Sequence, residues 1–317
     1  MFQESLRCSI LAIALGSAAS VTCADERPAI LLTGYWPPSN EAIRHFSPNQ
    51  TQNPQGWQGA NWEGRGYDIY AYFPEFMPAN CVNCGKGTGD LEVDYQDTSA
   101  NFWPIANSIS PIAIITFSRG LNNLSWELEM NQFNRINWIN DYVSPFKPTP
   151  NPPDASVPLG FLRNSTLPVE AIVSAVDAEM PSLDPFVCYT QDGGGFLSEF
   201  IAYHGVWYQD IHKSPSDPSR CIAAGHVHVG GQIPWATARL AAETSLRVLL
   251  AHVDDALYAP QDLDHDGCVG SGDLAILLGE FGGCSRCDAD FDGNGSVDAR
   301  DLGALLGAWN CQLPDAQ

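Results

Sequence analysis

The chain is short of positive charge. Fifteen Lys and Arg stand against 37 Asp and Glu over 317 residues, a formal net charge of −22. A surface of that sign repels phosphate backbones and anionic lipid, which excludes nucleic acid and anionic membrane as partners. The chain also lacks a long apolar run. The stretch SILAIALGSAA near the start is far shorter than the roughly 20 residues a membrane span needs. Lying behind Arg7 and ahead of small residues ending near Ala24, it has the form of a signal peptide, so residues 1–24 are expected to be removed on export, giving a secreted/extracellular or periplasmic chain.

Cysteine is not scarce. Beyond the leader the body holds Cys81, Cys84, Cys188 and Cys221, and the tail Cys268, Cys284, Cys287 and Cys311. Even numbers in an exported chain favour disulfides, with pairing left open. Cys81 and Cys84 form a single CxxC, and with no second pair beside it a loop disulfide is favoured over zinc.

Two stretches of the tail repeat: DLDHDGCVGSGDLAILLGEFG from Asp262 and DFDGNGSVDARDLGALLGAWN from Asp290. From Pro260 onward ten Asp and one Glu face only Arg286 and Arg300. Oxygen ligands at loop positions 1, 3, 5 and 12, with glycine at 6 for the sharp turn, suit a hard cation of six to eight contacts. The first copy offers Asp262, Asp264, Asp266 and Asp273 around Gly267, with the carbonyl of Cys268 at position 7. The second offers Asp290, Asp292, Asn294, Asp298 and Asp301 around Gly295, with the carbonyl of Ser296. An apolar helical pattern follows each loop. Residues 260–317 are therefore expected to bind two Ca2+ and to couple that binding to folding.

The repeat resembles a type I dockerin, whose paired calcium loop-helix units bind a cohesin. That resemblance implies a cohesin-type partner; a calcium-stabilised tail without a partner is the alternative. Asp rather than Glu at position 12 suits a dockerin and departs from a complete EF-hand.

Residues 25–259 alternate between strands and helices. Strands are expected at 29–33, 68–73, 112–117, 124–130, 186–190 and 221–229, and helices near 39–46, 98–109, 167–179, 196–208 and 234–257. The alternation predicts an α/β protein, a three-layer α/β/α sandwich about a largely parallel sheet, with ligands at the carboxyl ends of strands.

Three strand ends carry chemistry. LLTGYWPP closes the first strand with Tyr35 and Trp36. TQDGGGFLSEF runs through Gly194 and Gly195 to Ser198 at a helix start, where unpaired backbone amides favour an oxyanion. AAGHVHV puts His226 and His228 on one face of a strand, where a base for that hydroxyl could stand. A metal pair at these two histidines needs a third ligand such as His204 or Asp192.

In that order the motifs resemble the pyroglutamyl-peptidase I (pyrrolidone carboxyl peptidase) family, α/β/α cysteine peptidases that remove an N-terminal pyroglutamate. The resemblance implies that LSWELEMN carries the catalytic acid, Glu127, that GHVHV carries the catalytic His228, and that DGGGFLSEF holds the nucleophile position. Tyr35 and Trp36 would line the lactam pocket, and Gly194 and Gly195 would supply oxyanion donors. The departure is Ser198 where the family has cysteine, and a hydroxyl is the weaker nucleophile. Either Ser198, His228 and Glu127 work as a serine triad on a peptide or amide, or the fold has become a binding protein, with a component of an extracellular polysaccharide-degrading assembly as one form of that alternative. Two acidic residues at 127 and 129 would look the same on an exposed edge strand.

Overall fold

The computed structural model describes residues 27–81, 85–284 and 287–311. The expected signal peptide, residues 1–24, and Cys84 lie outside the described residues. The apolar run of β1 (Ala29–Tyr35) is buried along its whole length. Such a run suits a strand covered on both faces. α1 (Ser39–Ile43), β2 (Asp68–Tyr72) and the two-residue strands β3 (Pro74–Glu75) and β4 (Thr88–Gly89) follow. α2 (Tyr95–Ile109) begins at Asp94, whose carboxylate accepts from the amides of Gln96 and Asp97, and leads into β5 (Ala113–Arg119) and β6 (Ser125–Phe133). After β7 (Leu162–Asn164) come α3 (Val169–Glu179), β8 (Asp184–Asp192), α4 (Leu197–Ile211), β9 (Ala223–Val229) and α5 (Trp235–Leu257).

The main sheet runs β2-β1-β5-β9-β6-β7, with β8 also paired to β6. β2, β1, β5 and β9 are mutually parallel; β6 turns antiparallel to β9 and carries β8 parallel to itself. One face buries Ile43, Ile172, Val176, Leu246 and Leu249 of α1, α3 and α5. The other buries Phe102 and Ala106 of α2 and Leu197, Phe200 and Ile201 of α4, together with Ile114 and Ala224 of the sheet. This is the three-layer α/β/α arrangement expected from the alternation. The reversal of β6 and the short β7 were not expected.

The tail forms α6 (Ser271–Gly279), β10 (Gly282–Gly283), β11 (Ser296–Val297) and α7 (Ala299–Ala308) around a small core of Val269, Leu277, Ala289, Val297 and Leu305. Disulfides join Cys268 to Cys311 and Cys284 to Cys287; Cys81 is also disulfide-bonded, and Cys188 and Cys221 are buried thiols. Among the described residues no helix is long and apolar enough to cross a membrane.

Candidate functional site

Side chains alternate along a strand, so Ala224, His226 and His228 of β9 all face the α2/α4 layer. β6 pairs antiparallel with β9, setting Glu127 opposite His228 and Glu129 opposite His226. Both carboxylates therefore share the histidines' face. His228 leans along the diagonal: its Nδ1 lies 2.8 Å from Oε1 of Glu129. The acid that holds His228 is thus Glu129, where the family resemblance pointed to Glu127. Glu129 is 3% exposed, so it is not a solvated edge residue. A carboxylate on Nδ1 places the ring proton there and leaves the Nε2 lone pair for other work.

Glu127 stands beside this pair. Burial raises its pKa, and the like charge of Glu129 adds to the rise, against the opposing pull of His228 and a hydrogen bond with Cys188. His226 is fully enclosed, with Nδ1 2.8 Å from the Thr116 hydroxyl and Nε2 2.9 Å from the Ser118 hydroxyl. Burial holds its pKa well below the usual histidine value. His204 is likewise spent, on the Phe200 carbonyl and the Ser99 hydroxyl. A metal on the histidine pair would have to break these bonds.

Ser198 opens α4 on the same face, 9% exposed, and its hydroxyl donates to the Gly193 carbonyl at 3.3 Å. No hydrogen bond joins it to His228. The glycine turn ahead of it is fixed by Glu199, fully buried, whose Oε2 accepts from the Gly195 amide at 2.8 Å and whose Oε1 lies 2.7 Å from Arg135. Gly195, expected to serve an oxyanion, thus has its amide committed to a carboxylate. Gly194 and Gly195 both have positive φ, 84° and 70°, a conformation glycine adopts without strain.

Tyr35 is fully buried and its hydroxyl is bonded to Thr98. Trp36 is 8% exposed, stacked on Phe196 and in contact with Phe76 and Tyr142. The rings expected to line a pocket instead fill one another's space. An open depression of about 340 Å³, lined by Phe133, Arg135, Ile136, Asn137, Leu159 and Gly160, borders the glycine turn.

In the tail, ligand oxygens of Asp262, Asp264 and Asp273 converge within 4.8 Å of one another, as do those of Asp290, Asp292 and Asp301. Oδ1 of Asp262 is buried without a hydrogen-bond partner, as a cation ligand would be, and Gly267 and Gly295 turn at φ 92° and 87°. Both carboxylates at position 12 are fixed by backbone amides, Asp273 by Leu263 and Gly270, Asp301 by Phe291 and Asp298. Asp266 is exposed, accepts from the Cys268 amide and stands outside the first triple. Asp298 caps α7 by accepting from Arg300. Asn294 donates its amide to Asp290 and Asp292, and Cys268 and Ser296 follow the turning glycines.

Glu129, Glu199 and Cys188 are visible in the sequence but stand outside the site expected from it: Glu129 reads there as a strand neighbour of Glu127, Glu199 as a helix residue beside Ser198, and Cys188 as a core or disulfide cysteine. The alternation in WELEM marks both glutamates as one face, but the diagonal choice of the histidine needs the register of β6 on β9.

Fold and site together define a three-layer α/β/α protein with a histidine–carboxylate pair at the end of a central strand. Solved structures similar to it in fold include pyroglutamyl peptidases. Pyrrolidone carboxyl peptidase from Thermococcus litoralis superposes with a TM-score of 0.51 at 15% identity, over 72% of this chain and 96% of its own. A mutant pyrrolidone carboxyl peptidase from Pyrococcus furiosus gives 0.50 at 13%, over 71% and 99%. Pyroglutamyl peptidase I from Bacillus amyloliquefaciens gives 0.49 at 16%, over 71% and 98%. No protein-family model matches the chain, and neither does any curated protein sequence.

Proposed function

We propose that the chain is an exported peptidase-like hydrolase of pyroglutamyl-peptidase type, acting on a peptide or amide. The observation that carries this reading is the 2.8 Å bond between His228 and the buried Glu129 on the face where α4 begins. With Nδ1–H donated to Glu129, Nε2 takes the proton of Ser198 once its hydroxyl turns away from Gly193. The alkoxide attacks the substrate carbonyl, and His228 then returns the proton to the leaving amine. Since Gly195 serves Glu199, the oxyanion falls to backbone amides at the start of α4.

The test offers calcium-loaded protein a pyroglutamyl chromogenic amide and a panel of acyl esters, beside Ser198→Ala and His228→Ala. Turnover abolished by both changes supports the triad; turnover indifferent to either removes it. A second reading, a binding protein on the same scaffold, is favoured by the Ser198–Gly193 bond and the self-filled Tyr35–Trp36 region, and absence of turnover on every substrate selects it.

For the tail we propose two Ca2+ sites on the triples of Asp262 and Asp290, a dockerin-like role and a cohesin-type partner. Membership of an extracellular polysaccharide-degrading assembly would follow from such a partner. Clustered carboxylates repel without a cation, so calcium stabilises this fold. Titration calorimetry should count about two ions, and a tail that neither binds calcium nor loses structure to chelator refutes the assignment.

A further inference from the structure

Beside the histidine pair lies a donor set that the hydrolase reading does not use. β8 runs parallel to β6 with Cys188 in register with Glu129, so the thiol shares the face of Glu127 and Glu129. One ligand atom from each of the three lies within 4.8 Å of the other two. Glu129 is 3% exposed, and its Oε2, the oxygen not bonded to His228, is buried with no hydrogen-bond partner. A buried carboxylate oxygen without a donor is costly unless something cationic or protic meets it.

We propose that Glu127, Glu129 and Cys188 form a binding site for a thiophilic divalent cation, zinc being the ion whose ligand preferences it fits. One sulfur and two carboxylate oxygens suit a borderline-soft ion better than calcium or magnesium, which take oxygen alone. Around a tetrahedral zinc with bonds of roughly 2.0–2.3 Å, donors stand roughly 3.3–3.8 Å apart, so the present spacing needs only a small closure. The ion offsets both the burial and the like charge of Glu129 that disfavour an ionised Glu127. Binding displaces the proton of the Cys188 thiol to solvent, and water completes the shell.

One consequence rests on the hydrolase reading. Glu129 is both the partner of His228 and a ligand here, so zinc draws the carboxylate away from the imidazole and lowers turnover.

The experiment titrates cobalt(II), as a zinc surrogate, into full-length calcium-saturated protein and follows the ultraviolet sulfur-to-cobalt charge-transfer band. Carboxylate loops in the tail give no such band. The expected result is a band saturating at one equivalent, lost in Cys188→Ser and Cys188→Ala and retained in Cys221→Ser. In Glu127→Gln affinity should fall by at least the roughly 10–100-fold that losing even an outer-shell partner costs. No band in the folded wild type, or one that survives both Cys188 variants, overturns the site. Where the wild type turns substrate over, zinc should lower kcat with the midpoint of zinc binding read by displacement of cobalt; an unchanged kcat overturns the link to His228. Absence of all turnover removes the hydrolase reading and leaves the band to decide the metal.

Discussion

Two glutamates two residues apart divide the work of β6, and a single substitution at each separates their roles. Glu129→Gln keeps the shape of the site but replaces the acceptor on Nδ1 of His228 with an amide that no longer fixes the productive tautomer, so kcat/KM should fall roughly 10²–10⁴-fold on any substrate that the wild type hydrolyses. Substrate assay in parallel with Glu127→Gln checks this, since equal losses at both positions would contradict the diagonal pairing. His204 gives a prediction free of any activity. Enclosed by Phe102 and Phe200, it is held by burial at a pKa of about 4, below its ordinary 6.5. Between those values the unfolded chain binds a proton that the native chain refuses. Stability is therefore flat above pH 6.5 and falls as the pH drops toward 4, by up to ~1.4 kcal/mol per pH unit from this residue. Urea unfolding at pH 7 and pH 5 measures the loss, and His204→Phe should shrink it; His226, also held neutral, keeps part of the slope.

At the scale of elements, the turn between β8 and α4 sets where Ser198 sits. A Cβ on Gly193 would come within 2.7 Å of the Glu199 Cβ and 3.1 Å of its Cα, so the backbone would have to move. Gly193→Ala should cost about 1–3 kcal/mol in denaturant unfolding and impair any Ser198-dependent turnover beyond that loss of folded protein. A variant as stable and as active as the wild type would show that the turn has slack. Much of this layer was legible beforehand: the apolar runs of β1, β5 and β9 and the long pattern of α5 name their elements directly. The direction of β6 was not, because period-two alternation reads the same whichever way a strand points. The same limit hid the acid, since Glu127 and Glu129 share a face and only the slant of the His228 ring chooses between them. Tyr35 and Trp36 were visible as rings at a strand end, yet their closure onto Thr98, Phe76 and Phe196 depends on residues distant in sequence.

Across the whole molecule, the tail meets the body where Tyr258, just after α5, stacks on His265 of the first loop with ring centroids 4.6 Å apart. Arg65 and Asp254 of the body and Asp264 and Asp266 of the loop line a cleft of about 760 Å³ at this junction. Calcium in the first loop would set the backbone that carries His265. Chelation should therefore expose Tyr258 as well as loosen the tail, seen as faster hydrogen exchange at the end of α5; unchanged exchange there would mean that the loop and helix are independent. The Cys268–Cys311 bridge has a different bearing. It encloses both helices and the whole of the second loop in one covalent ring, so a protease that severs the backbone once inside that ring cannot detach the fragment. On a denaturing gel such a clipped molecule would migrate as one species until reductant is added, and in the oxidising surroundings expected for an exported protein a nicked tail would remain fastened to its body.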